Sequence, residues 1–256
     1  MHYFFASDVH LGLGLKGSPA REREKLFVRW LSFVEGELLP EGGEKRGALF
    51  LLGDIFDFWF EYKRVVPKGF VRVLGKLAEM ADKGIEIHFF RGNHDTWVYS
   101  YFEEELGIEV HGAPYETVLC GKRCLLAHGH GLKIPRSDYR YRLMHAVFNS
   151  PLAYNLYSVL VHPDLSMRFG HWWSHSSRTA KNIGHEFRGE EEPVVCYSRE
   201  ILARGEDFDF FIFGHLHTPL LYPLNDKAVL AVLGEWIEKP CYGVLSDEGF
   251  ELKSYK

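Results

Sequence analysis

The sequence predicts an α/β fold, a layered sandwich of strands and helices with a helical insertion, and three observations carry that expectation. Short β-branched or aromatic runs alternate with segments of helical periodicity. Five of those runs end in a motif of histidines, amides or carboxylates, the position at which open α/β sheets carry their sites. From about residue 137 to residue 187 the rhythm changes, and the chain turns helical, basic and aromatic.

Residues 2–7 read as the first strand and 21–39 as a helix, with Leu26, Trp30, Phe33, Val34 and Leu38 on its apolar face. A loop over 40–47 ends it. Residues 48–52 form a buried strand, 69–82 a helix with Phe70, Val73, Leu74, Leu77 and Met80 inward, and 85–90 the next strand. Short strands are expected around 108–110, 116–119 and 123–127, with Gly121 turning the chain between the last two. In the stretch that follows, Tyr139, Tyr141, Phe148, Tyr154, Tyr157, Phe169, Trp172 and Trp173 supply the aromatic character, and Pro151 and Pro163 divide the helices. Glu190-Glu191-Glu192-Pro193 reads as a solvated loop, 194–204 as a helix, 209–213 as one more buried strand and 220–255 as antiparallel strands.

The 256 residues, 46% hydrophobic and 15% aromatic, suffice for one large domain over 1–256, into which about 137–187 is inserted as a helical cap. No apolar run approaches the roughly 18 residues of a membrane span, and the N-terminus opens on a strand rather than a basic-then-apolar leader, so a cytoplasmic protein is expected. The four scattered cysteines, Cys120, Cys124, Cys196 and Cys241, are expected to be reduced. Cys120 and Cys124 have the spacing of a zinc half-site but no second pair to complete it, which makes them hairpin positions. The net charge of −5 argues against a general nucleic-acid binder. Between Lys133 and Arg188, however, eight basic residues stand against three acidic ones, a local excess of +5.

The motifs are Asp8-Val9-His10, Gly53-Asp54, Gly92-Asn93-His94-Asp95, His128-Gly129-His130 and Gly214-His215-Leu216-His217, and together they describe a two-metal hydrolase site. Mixed carboxylate, amide and imidazole donors suit Mn²⁺, Fe²⁺, Zn²⁺ or Co²⁺, whereas an all-oxygen set favours Mg²⁺ or Ca²⁺; Mn²⁺ is the first expectation. Two ions about 3.5 to 4 Å apart need a shared ligand, and Asp54 suits that role because a carboxylate offers two oxygens on one short side chain. Spacing alone does not divide the other donors between the two ions. His2, His88, His111, His145, His162, His171, His175 and His185 lie outside any motif, and Asp57 reads as a cap or turn residue.

Across residues 8–217 the five motifs resemble those of the calcineurin-like metallophosphoesterases, whose Asp-x-His, Gly-Asp, Gly-Asn-His-Asp or Glu, His and Gly-His-x-His pattern is matched in full. The resemblance implies a four-layer αββα sandwich and in-line attack on phosphorus by a metal-activated water. It also implies that Asp8, His10 and His217 complete one ion's shell and Asn93, His128 and His215 the other, with Asp54 between them. His94 would then contact a phosphoryl oxygen or the leaving group, with Asp95 orienting its imidazole.

A narrower resemblance rests on Leu52-Gly53-Asp54-Ile55-Phe56-Asp57-Phe58-Trp59, Trp173-Ser174-His175-Ser176-Ser177-Arg178 and Leu233-Gly234-Glu235-Trp236. These segments are similar to the UDP-2,3-diacylglucosamine pyrophosphatases of lipid A biosynthesis, and the likeness covers nearly the whole chain. It implies hydrolysis of UDP-2,3-diacylglucosamine to 2,3-diacylglucosamine 1-phosphate (lipid X) and UMP, by a protein peripheral on the cytoplasmic face of the inner membrane. By the same match Ser177, Arg178, Lys181 and Asn182 would touch sugar or phosphates, with Asp138 and Tyr141 nearby. A pyrophosphate diester needs cationic side chains and acyl chains need an apolar cleft, and the basic, aromatic cap offers both. Such a cap can also lie against anionic headgroups, each well-placed Lys or Arg adding about 1 kcal/mol.

Two departures stand out: His130 replaces the Asp of His-Gly-Asp-Gly, and Glu235 the Asp of Gly-Asp-Trp, so substrate contacts there are expected to differ. Another dinuclear-metal phosphodiesterase or nucleotide pyrophosphatase would use the same donors but leaves the cap unmotivated. A metal-dependent nuclease lacks an electrostatic footprint for duplex DNA at this net charge. A non-catalytic scaffold, the remaining alternative, fits poorly with a complete ligand set.

Overall fold

Two-residue alternation divides each central strand between two apolar layers. In β1 (His2–Ala6), Phe4 and Ala6 face one layer and Phe5 the other, and all three are buried. β2 (Gly47–Leu51) repeats the division with Leu49 and Leu51 against Ala48 and Phe50, and β3 (Glu86–Phe90) with Ile87 and Phe89 against Phe90. Strands buried on both faces are what parallel sheets require. A computed structural model describes residues 1–14, 19–40, 46–134, 138–180 and 187–256, residues 175–180 by backbone only.

Helices α1 (Ala20–Leu38), α2 (Val71–Asp82) and α3 (Tyr101–Leu106) lie in the connections between β1, β2, β3 and β4 (Glu109–His111). These four strands pair in parallel, with Phe4 opposite Leu49, Leu49 opposite Ile87 and Phe89 opposite Val110. The chain then forms the hairpin β5 (Tyr115–Leu119) and β6 (Lys122–Ala127), followed by α4 (Tyr139–Phe148), α5 (Pro151–Leu160), α6 (Pro163–Ala180) and α7 (Pro193–Ala203). It ends with β7 (Phe210–Phe213), β8 (Leu220–Pro223), β9 (Val229–Val232), β10 (Cys241–Ser246) and β11 (Gly249–Ser254). The first sheet has the order β11-β10-β1-β2-β3-β4 and the second β5-β6-β7-β9-β8.

Three apolar clusters stack these elements into layers. One lies between the first sheet and α1 to α3, with Phe27, Trp30, Leu77 and Phe102 in it. A second joins Phe5, Phe50 and Phe90 to Leu126, Ile212 and Ala231 across the two sheets. The third lies between the second sheet and α7, where Val194 and Val195 meet Phe211 and Phe213. The result is the four-layer αββα sandwich, with β6, β7 and β9 parallel so that their C-terminal ends open on a common edge. The cysteines are free, and Cys120 and Cys124 sit at the β5–β6 hairpin.

Several expectations need correction. The inner face of α1 is Phe27, Trp30, Leu31, Val34 and Leu38, with Arg23; Phe33 lies at the rim, 39% exposed, and Leu26 is only half-buried. Both faces fit a 3.6-residue period, and the direction of approach to the sheet chose between them. Phe70 precedes α2 rather than opening it, in a left-handed conformation at φ 58°. Helix α3 was not expected; six residues are too few for a period to show, and the buried Glu61 carboxylate caps it by accepting the N–H groups of Tyr99, Ser100 and Tyr101. Residues 220–255 are not uniformly antiparallel, since β9 runs parallel to β7. In the acidic run Glu192 is buried, accepting from the backbone N–H and Nε of Arg188.

Leu31→Ala should cost about 2–5 kcal/mol and Phe33→Ala less than half as much, because only the first leaves a sealed cavity. Urea unfolding midpoints decide it, and equal losses would put both residues in the core.

Candidate metal centre

The motif residues leave the C-terminal ends of β1, β2, β3, β6 and β7 and meet between the two sheets. Past the strands, the backbone continues to pair: Asp8 N–H donates to Gly53 O (3.1 Å), His10 to Asp54 O (2.9 Å) and Leu11 to Ile55 O (2.8 Å). His215 N–H donates to Asp8 Oδ2 (2.9 Å), which links the second sheet to the first. Asp8, His10, Asp54, His215 and His217 all adopt positive φ, between 50° and 70°. Non-glycine residues enter this region at a cost of about 1 kcal/mol or more each, and such strain concentrates at functional sites.

The side chains form two overlapping groups. In one, His217 Nε2 lies 3.2 Å from Asp8 Oδ1 and 3.4 Å from His10 Nε2. In the other, His128 Nε2 lies 3.2 Å from Asn93 Oδ1, and His215 joins His128 and Asp54. Asp54 Oδ2 is common to both, 3.9 Å from His10 Nε2 and 3.4 Å from His128 Nε2. His94 borders the shared position with His10 and Asp54, its ring centroid 4.9 Å from that of His10.

Backbone and carboxylate partners fix the rings from behind. His128 Nδ1 donates to Leu52 O (2.8 Å) and His94 Nδ1 to Asp57 O (2.9 Å), so each turns Nε2 toward the centre. The Asp57 carboxylate stands 3.6 Å behind His10 Nδ1 and accepts the Ser174 hydroxyl of α6 at 2.8 Å. The buried Arg23 donates to His10 O (2.8 Å) and to Leu13 O. A Cβ on Gly92 would run into Asp54 Oδ1, so only glycine lets these two loops close on each other.

Asp8 and Asp54 are both buried, which disfavours their charge, yet the surrounding histidines, His217 at Asp8 and His128 at Asp54, hold both carboxyls below the usual range. Burial also opposes charge on His128, but Asp54 overrides it and lifts the imidazole to about 10. His215 is pushed well below its ordinary value by burial and by His128. Two buried carboxylates thus demand positive charge, from protons on imidazole or from cations that displace them. Asp8 Oδ1 is buried without a hydrogen bond of adequate geometry, and the imidazole, carboxylate and amide donors fit divalent transition metals.

Comparison with known proteins accords with this geometry. Residues 1–219 match the family described as calcineurin-like phosphoesterase. This chain belongs to that family. The metallophosphoesterase works with divalent metal ions, as membership implies, and its relatives extend the likeness to full length. It is 37% identical to a protein of Porphyromonas gingivalis named UDP-2,3-diacylglucosamine hydrolase, over 98% of this chain and 96% of that one. A Nitrosococcus oceani protein of the same name is 31% identical over 98% and 93% of the two chains. Among solved structures, a dimetal phosphatase from Danio rerio covers 100% of this chain and 99% of its own at 16% identity, with a TM-score of 0.46.

The structure brings together Asp8, His10, Asp54, Asn93, His94, His128, His215 and His217, as listed by the motifs. Asp95 is adjacent but does something other than expected. It accepts the N–H groups of Gly92, Asp54, Ile55 and Phe56 instead of orienting His94, whose partner is Asp57 O. A buried carboxylate facing a tight turn is satisfied by the turn's own donors, and burial with the nearby Asp54 charge still pushes it up to about 7. Asp138 caps α4 by accepting Tyr141 N–H at 3.0 Å, and Tyr141 is half-buried beside His145. Ser177 and Arg178 lie on α6 where side chains fall outside the described residues, as do Lys181 and Asn182 altogether.

Two contributors were missed. Asp57 supports both His10 and His94, and the second carboxylate of Gly53-Asp54-Ile55-Phe56-Asp57 was the available signal. His145 of α4 reaches the His128-to-Gly131 loop, where a Cβ on Gly131 would meet its Nε2 at 2.7 Å; nothing in its local sequence marks it. Asp57→Ala should lower metal affinity roughly 10–100-fold, read from metal retained on dialysis. Unchanged retention would reduce Asp57 to a tie between this loop and α6.

Proposed function

We propose that this metallophosphoesterase hydrolyses the pyrophosphate bond of UDP-2,3-diacylglucosamine, releasing UMP and 2,3-diacylglucosamine 1-phosphate. The observation that carries the reading is an apolar cavity of about 100 Å³ beside the centre, lined by Phe58, Phe60, Trp97, Phe148, Tyr157 and Phe169 among others. Phe58 follows Asp57 directly and Trp97 lies two residues past Asp95, so the walls continue the same loops that hold the polar centre. The other wall belongs to α4, α5 and α6, which act as a cap inserted between β6 and β7. The first few methylene groups of an acyl chain can therefore lie beside the phosphates. The names of full-length relatives in two organisms support the same substrate.

Asp8, His10 and His217 would hold one cation and Asn93, His128 and His215 the other, with Asp54 available to both; Mn²⁺ is the proposed metal. Two such cations lower the pKa of water and screen charge on phosphoryl oxygens. The chain's own residues supply orientation. Leu52 O and Asp57 hold the histidines in one tautomer, and Asp95 locks the loops that carry Asp54 and Asn93. His94, anchored through Nδ1, turns Nε2 toward the centre, where it would contact a phosphoryl oxygen or the leaving group. Tyr141 of α4, beside His145, and the cationic Arg178 and Lys181 are assigned to the sugar and phosphates, with Ser177, Asn182 and Asp138.

The cap is also proposed to rest on the cytoplasmic face of the inner membrane. Leu152, Leu156 and Val159 line one side of α5 and are exposed, as are Leu160, Leu165, Trp172 and Trp173, so the two tryptophans are not core residues. Among the described residues no helix is long and apolar enough to cross a membrane, which makes attachment peripheral in this reading.

Phosphorus-detected hydrolysis tests the substrate. Metal-stripped protein given Mn²⁺ should release UMP from UDP-2,3-diacylglucosamine and not from an unacylated UDP-sugar, and equal rates on both would discard the lipid. In the same assay His94→Ala should lose about 10²–10⁴ in turnover at full metal content; a parallel loss of metal would make His94 a ligand instead. Flotation with anionic liposomes should recover the wild type, and Leu152→Glu with Leu156→Glu should leave the protein in the dense fraction. Identical flotation of both would remove α5 from the membrane contact.

A further inference from the structure

We propose a separate metal site on the first sheet, built from His88, Glu109 and His111 and suited to Zn²⁺ with one coordination position open. The strand register creates it. His88 of β3 lies opposite Glu109 of β4, and His111 follows two residues on, so period-two alternation puts all three on one face. β4 is the terminal strand of its sheet, which leaves this face within reach of solvent.

Four donor atoms from three side chains converge there. His88 Nδ1 lies 3.0 Å from His111 Nε2 and 3.3 Å from Glu109 Oε2, and His111 Nε2 lies 3.7 Å from Glu109 Oε1. A tetrahedral ion with bonds of about 2.0–2.1 Å separates its ligand atoms by about 3.3–3.4 Å, and the three separations here, 3.0 to 3.7 Å, bracket that spacing. Two imidazoles and a carboxylate form a borderline donor set that favours Zn²⁺ over Mg²⁺ or Ca²⁺.

The surroundings fix the rings as a metal site requires. Glu86 Oε1 lies 2.9 Å from His88 Nε2, a carboxylate behind the imidazole that places the proton on Nε2 and leaves Nδ1 as the donor. His88 stacks on Phe50 with centroids 4.6 Å apart, and His111 packs against Phe90 and Tyr115 at 4.5 and 4.4 Å. His88 is buried, and burial lowers the His111 pKa, so its imidazole is neutral and able to ligate. In the ion-free state the two rings share a hydrogen bond through His111 Nε2–H, and binding shifts His111 to the tautomer with its proton on Nδ1, which frees Nε2 for the ion. Neither histidine belongs to a motif, and the centre at Asp54 uses none of the three residues.

Zn²⁺ equilibrium dialysis of the full-length protein, with bound metal measured per chain, tests the site. The wild type should retain one more equivalent than Glu109→Ala or His111→Ala, while phosphoester hydrolysis at fixed Mn²⁺ stays the same in all three. Zn²⁺ should also raise the melting temperature of the wild type more than that of Glu109→Ala; this exposed position is a variant that need not disturb folding. Equal stoichiometry and equal shifts in wild type and variants would overturn the proposal and leave a hydrogen-bonded histidine pair. Loss of hydrolysis in Glu109→Ala with unchanged zinc would overturn it as well.

Discussion

Two carboxylates buried side by side, Asp8 and Asp54, set the condition that the rest of the centre meets. Removing a carboxylate from water costs several kcal/mol unless opposite charge or donors accompany it. Two such groups at one place cannot both be served by a single proton. The histidines that converge on them from four strand ends, with Asn93, form the shell this charge requires. His94 N–H and His215 N–H take the carboxylate oxygens that face away from the shared position.

Holding that shell is a backbone problem. Five of the contributing residues sit at positive φ, a conformation that persists only when the surroundings over-determine it. Here they do so from several sides. Arg23 of α1 holds the His10 carbonyl, and Trp236 N–H holds the Asp8 carbonyl at 3.2 Å while its ring packs on Phe27 and Trp30. Asp95 gathers four backbone N–H groups from two loops. The aromatic core is therefore continuous with the polar centre: the residues that bury α1 also fix the loop bearing Asp8 and His10.

The two departures from the family pattern acquire different meanings. Glu235 turns back on its own loop and accepts N–H groups from Ile237, Glu238 and Lys239, so it shapes a turn. His130 is half-buried beside His128 and His215, and its Nδ1 is sealed from solvent with no hydrogen-bond partner among the described residues. Burial and the His128 charge push it down to about 3, so it adds a neutral donor where an Asp would add charge. Negative charge beside His128 and His215 is thereby kept lower than an additional carboxylate would make it.

The five motifs, their strand-end placement and their donor chemistry were legible in the sequence because each is local: a buried run, then glycine, then a polar side chain. The layered α/β character followed from hydrophobic periodicity, and the αββα arrangement from the family resemblance. What only the tertiary structure decided depends on pairing between distant segments. The rotation of α1 that buries Phe27 and Leu31 and leaves Phe33 out, the turn of β9 parallel to β7, and the duty of Asp95 toward backbone rather than His94 are all of this kind. So are Asp57 behind His10 and the meeting of His88 with Glu109 and His111 across β3 and β4. A sequence states which side chains a strand presents, but which neighbour they meet is set by sheet order and register, and these emerge only when the layers pack.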